Sequence, residues 1–166
     1  MAETTDEHRV ERIDGRLHAI RHIFDEAGRV VGTITTPLHV EMKWDDFGQL
    51  VAGACLLSIP MALTDEISNY GETLSIGRTV AILLVSVVTL AAFVRGLFFP
   101  GDKLRQHPVA YTMRVLGAYL TTFLVASFVL CLVDQGSFDE PLALWKRAVL
   151  VAFPASFAAA TFDYIK

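Results

Sequence analysis

Phe47-Gly-Gln-Leu-Val-Ala-Gly-Ala-Cys-Leu-Leu-Ser-Ile-Pro60-Met-Ala-Leu63-Thr64-Asp65-Glu66 runs from an uncharged apolar segment straight into two carboxylates. A helix that crosses a bilayer needs about 20 mostly apolar residues, in a range of roughly 17–25, and Phe47–Leu63 reaches the lower bound. Ionisable groups at the edge of such a segment are costly to hold there, which makes Asp65 and Glu66 candidates for a functional site.

Three further segments downstream have the same character: Val80–Phe99, Val115–Val133 and Leu142–Ile165. The chain of 166 residues is 53% hydrophobic, above the ~45–50% usual for a soluble domain. The excess is concentrated in these four blocks. The pattern predicts an all-α membrane protein with four transmembrane helices, at about 47–67, 79–99, 110–133 and 142–165. The first span begins only after a long polar stretch, so no cleavable signal peptide is expected. Cys55 and Cys131 both fall inside apolar spans and read as small hydrophobes, with no disulfide framework or metal spacing. A net charge of −4 offers no basic footprint for nucleic acid.

Short loops rich in Lys and Arg stay on the cytoplasmic side. The link between spans two and three carries Arg95, Lys103, Arg105 and Arg114 against Asp102. The other two links hold Asp65, Glu66 and Glu72 against Arg78, and Asp134, Asp139 and Glu140 against Lys146 and Arg147. This predicts a multi-pass protein of the cell (inner, cytoplasmic) membrane with both termini in the cytoplasm.

Residues 1–28 read as a separate unit. Thr4-x-x-Glu7 fits a capping box. Val10, Ile13, Leu17, Ile20 and Phe24 then recur at spacings of 3, 4, 3 and 4, flanked by charge, with Gly28 as C-cap. That is an a/d seam, which predicts a cytoplasmic heptad helix and a short coiled-coil contact between subunits. An amphipathic helix packed on its own subunit or on the membrane surface fits the same spacing. His18 and His22 sit four residues apart on this helix, but no third ligand accompanies them, and no metal is expected. Residues 29–46 are β-branched around Pro37 and read as a short β-rich link ending in an interfacial anchor, Lys43 and Trp44.

With the first span drawn as a helix, Gly48, Ala52, Cys55, Ile59, Ala62 and Glu66 share one face. Small residues at that spacing serve close helix packing, or the wall of a narrow pore if several copies meet around an axis. In the second case Ala52, Cys55, Ile59 and Ala62 line the path, and Asp65 and Glu66 form an acidic outer mouth that attracts cations. The plainer reading leaves the two carboxylates in water, ending the helix. Pro60 removes one backbone hydrogen bond and predicts a kink. Lys146 and Arg147 open a span whose apolar stretch is short, so they either reach back to the headgroups or enter the bundle as counter-ions for Asp65 and Glu66. Ala155, Ser156, Ala159 and Ala160 make a close-packing face on span four, interrupted by Pro154. Arg95 and Arg114 flank the cytoplasmic loop and are explained by a positive-inside role, while Asp163 near the inner end reads as an interface charge rather than a relay.

No HExxH, Gly-x-Ser-x-Gly, CxxC or phosphate-cradling loop is present, so neither a catalytic centre nor a cofactor is expected. The run Val51-Ala-Gly-Ala-Cys-Leu-Leu-Ser-Ile-Pro60-Met-Ala-Leu-Thr-Asp-Glu66, followed by Gly71-Glu-Thr-Leu74 and preceded by Pro37-Leu-x-Val-Glu41, resembles a bacterial and archaeal family of small integral membrane proteins to which no activity is assigned. Asp65 stands where that family places a glutamate. The resemblance is strongest over Pro37–Leu74 and implies several membrane spans but no reaction.

The functional expectation is a homo-oligomeric channel, cation-conducting, with the lipid bilayer, further copies of the chain and an inorganic cation as partners. A proton- or ion-coupled secondary transporter is the first alternative, mildly favoured by two proline-broken spans. A non-transporting sensor or accessory subunit is the second.

Overall fold

The computed structural model describes residues 9–13, 16–24, 30–37, 44–99 and 108–165. The chain divides into two compact units, 1–41 and 42–166.

The first unit corrects the heptad reading. Three strands, β1 (Arg9–Ile13), β2 (Arg16–Phe24) and β3 (Val30–Pro37), form an antiparallel sheet in the order β1-β2-β3. Arg9 pairs with Ile20 and Ile13 with Arg16. Across the second pairing His18 faces Pro37, and an irregularity falls where Ile23 pairs with Gly32 and Phe24 with Val30. Val10, Ile13, Leu17, Ile20 and Phe24 are therefore strand residues, and no coiled-coil seam exists among them. Their spacing mimics a heptad, but the β-branched content of 30–36 supplies a partner strand, and Asp14-Gly15 separates two strands that pair from the residues on either side of it, Ile13 with Arg16. In a strand His18 and His22 stand about 13 Å apart at roughly 3.3 Å per residue, which rules out the helical i,i+4 arrangement. Ile20 is buried. Thr4, Glu7, Gly28 and the 38–43 part of the link lie outside the described residues.

The second unit is helical. Its elements are α1 (Trp44–Ala62), α2 (Asp65–Thr73), α3 (Ile76–Phe98), α4 (Pro108–Leu132) and α5 (Pro141–Tyr164). Among the described residues, α3, α4 and α5 are each long and apolar enough to cross a membrane, and α1 with α2 passes as a pair bent by 83°. The expected first span, 47–67, is thus not one helix. α1 runs through Pro60 and stops at Ala62, and Thr64 takes an extended conformation. The break falls where helix electrostatics favours it. Asp65 and Glu66 would oppose the negative C-terminal end of α1, but in the first turn of α2 they meet the positive end of a new helix. Thr64 fastens the joint, its Oγ1 donating to the Met61 carbonyl at 2.7 Å.

α5 is the centre of the bundle. Half of its membrane-length window is buried, against 17% for α3. It packs on α1, α2, α3 and α4. Ala155, Ser156, Ala159 and Ala160 all lie in the core. At Gly53 the backbones of α1 and α5 approach so closely that a Cβ would sit 2.8 Å from the Ala158 carbonyl oxygen and the Ala159 Cα. This is the small-residue contact that membrane helices use in place of hydrophobic exclusion. The buried face of α1 is therefore Leu50, Gly53, Ala54, Ser58 and Ala62. Hydroxyls within the helices mostly satisfy themselves locally: Ser86 donates to the Ile82 carbonyl, Thr122 to Ala118 and Ser156 to Phe153.

Candidate functional site

At the end of the bundle where α1 and α4 begin and α3 and α5 finish, each of these four helices contributes one side chain to a buried cluster. Arg114, in the second turn of α4, is 2% exposed. Its Nε and Nη2 both donate to Oδ2 of Asp163, at 3.0 and 2.8 Å. Nη2 also lies 3.6 Å from Oδ2 of Asp46 in the first turn of α1. The guanidinium carbon stands 3.9 Å from the centre of the Phe98 ring, the last residue of α3, and Tyr164 meets that ring edge-on at 5.5 Å. Asp163 is 2% exposed and Asp46 4%.

This arrangement is expensive. Asp163 lies in the last turn of α5, where the helix dipole disfavours an anion, and full burial removes water from all three ionised groups. The chain offsets those costs with a forked charge-assisted pair, a second carboxylate and an aromatic face. Chemically, the site holds two carboxylates and one cation buried together between helix ends. A proton or small cation gained by either carboxylate weakens its hold on Arg114, and through Arg114 the attachment of α1 to α4 and α5.

A second cationic centre lies at the opposite end, about 24 Å along α5 at ~1.5 Å per residue. Arg147 enters the bundle rather than reaching for headgroups. Its Nη1 donates to the Gln135 carbonyl at 2.8 Å, its Nη2 to Glu72 Oε1 at 3.2 Å, and its Nε to the Ser68 carbonyl at 3.4 Å. Gln135 is presented by a Schellman turn that ends α4. Asp134 takes φ 59° there, and the Gln135 amide returns to the Leu130 carbonyl.

The residues singled out from sequence fall differently from the pore arrangement. Ala52 and Ile59 lie on the open side of α1, Cys55 is half-buried at its border, and Ala62 is in the core. Asp65 and Glu66 are exposed in the first turn of α2. The carboxylate that Arg147 meets is Glu72, not Asp65 or Glu66, and Lys146 is half-buried beside the same helix end. Asp46 was not singled out from the sequence, where Arg114 fits a positive-inside role and Asp163 an interface charge. The dipole-opposed position of Asp163 was the one local signal of a buried partner.

Apolar helices of membrane-spanning length, packed through small residues around buried charge, define an integral membrane protein. Over residues 25–162 the chain matches the family described as "Putative integral membrane protein (DUF2391)", and it belongs to that family. No curated protein and no solved structure matches it.

Proposed function

We propose that this protein is an ion-coupled transporter in which Asp46, Arg114 and Asp163 form the site that takes up and releases a proton or small cation. The observation that carries the reading is the placement of the cluster: each of the four long helices supplies one of its members. Occupancy of a carboxylate is then coupled directly to helix arrangement, which is the requirement for a carrier. The α1–α2 pair counts as one span, giving four. The basic α3–α4 link supports a cytoplasmic cluster end with α2 outside. No cofactor or catalytic step is involved.

The test is flux in proteoliposomes. With an internal pH dye and an imposed cation gradient, the wild-type protein dissipates a pH difference, and Asp46→Asn and Asp163→Asn each abolish this while the protein remains monodisperse. Folded wild-type protein that moves neither protons nor monovalent cations would overturn the reading.

A homo-oligomeric cation channel is the second reading, favoured by the open side of α1, where Gly48, Ala52 and Ile59 are exposed and available to other copies. Unitary currents whose selectivity changes in Glu66→Gln would select it over the carrier.

A further inference from the structure

We propose that α2 is a strap that lifts from the end of the bundle, with Arg147 as its latch. The inference does not depend on the transport reading, because it concerns how this helix is held.

α2 has only nine residues and joins its neighbours through two short links, Leu63-Thr64 and Leu74-Ser75. It buries only Ile67 and Gly71, and its other side chains are exposed or half-exposed. So little apolar area cannot fix a helix that lies at 83° to α1. Among the described residues, the polar side-chain contacts that add to it come from Arg147. Gly71 is what admits it: a Cβ there would overlap the Arg147 side chain at Cγ, with Nε at 2.6 Å. The guanidinium is held unequally. Its shortest bond, 2.8 Å, goes to the α4–α5 turn at Gln135, while its two bonds to α2 are longer, at 3.2 and 3.4 Å.

Arg147 thus keeps its seat on the turn if α2 departs. The carboxylate that α2 offers it can also be taken over by water, since the Glu72 side chain is 71% exposed. A pair of that kind holds weakly. A cleft of about 420 Å³, lined by Gly71, Glu72, Pro141, Leu142 and Lys146, lies beside the contact between the C-terminal end of α2 and the start of α5. Gly71 and Glu72, neighbours within the chain's most recognisable stretch, therefore divide the work between them. The glycine makes room for the latch and the glutamate engages it.

The experiment uses the full chain in lipid nanodiscs, with Cys55→Ala and Cys131→Ala as background. Ile67→Cys reports on the covered face of α2 and Asn69→Cys on its exposed face, both read by the rate of labelling with a membrane-impermeant maleimide. In the parent, the Ile67→Cys reporter labels far more slowly than the Asn69→Cys reporter. Adding Glu72→Gln or Arg147→Gln speeds the Ile67→Cys reporter about two- to fivefold, the effect of losing a solvent-exposed ion pair, and leaves the Asn69→Cys rate unchanged. Glu72→Gln alters an exposed side chain and keeps both carbonyl contacts, so it reads the latch even where Arg147→Gln lowers the yield of folded protein. Unchanged slow labelling in Glu72→Gln, or equal rates at the two reporters in the parent, overturns the strap.

Discussion

Arg114 and Asp163 are 49 residues apart in the chain, yet two guanidinium nitrogens of the first converge on one carboxylate oxygen of the second at 3.0 and 2.8 Å. The pair closes α4 onto the end of α5, and Asp46 brings α1 to the same point at 3.6 Å. Removing one member of such a pair leaves a buried charge poorly compensated. Asp163→Ala is expected to destabilise the bundle by about 3–5 kcal/mol, read as a large drop in thermal midpoint in detergent. Arg114→Lys keeps the charge but loses the fork, and should cost less than Arg114→Ala.

The two glycines of α1 make a controlled comparison. A Cβ at Gly53 meets the backbone of α5 at 2.8 Å, whereas one at Gly48 meets nothing within 4 Å. Gly53→Ala should therefore cost about 1–3 kcal/mol by forcing the helices apart. Gly48→Ala should stabilise by about 0.5–1 kcal/mol, since it removes a flexible residue from an exposed helix position. Equal effects in parallel melts would refute the close crossing.

Asp65 and Glu66 have a structural role in the first turn of α2. Asp65→Asn and Glu66→Gln are each expected to cost about 0.3–1 kcal/mol, reduced by added salt. A loss well beyond that in melts at low and high salt would show that they hold more than a helix end.

Asp134 sits at φ 59° in the turn that presents Gln135 to Arg147. Asp134→Gly should be neutral or stabilising by up to ~1 kcal/mol, and Asp134→Val destabilising by about 1–2 kcal/mol. Urea or thermal titration of the three proteins decides it.

The membrane helices were legible because a bilayer imposes a length and an apolarity that a single sequence displays. Val80–Phe99, Val115–Val133 and Leu142–Ile165 overlap α3, α4 and α5 for that reason. The Ala155/Ala159 face was legible as close packing, and the short apolar stretch after Arg147 left bundle entry open as an alternative. What could not be read was pairing across distance. Asp46, Arg114 and Asp163 each stand beside a span end, where a solvated charge is the ordinary finding, and nothing local says that three helix ends converge. The break after Ala62 was missed because apolar counting continues through Leu63, whereas the acids that follow favour a helix start. At the N-terminus the 3-4-3-4 spacing reads as a helix when the Asp14-Gly15 step is passed over, and strand pairing prevailed.

The Arg114–Asp163 bond also bears on how the protein is made. Synthesis proceeds from α1 toward α5, so of the two carboxylates around Arg114, Asp46 is made before it and Asp163 after it. A chain that stops short of Asp163 lacks the carboxylate oxygen that accepts from Arg114 at 3.0 and 2.8 Å, and α4 then loses that tie to α5.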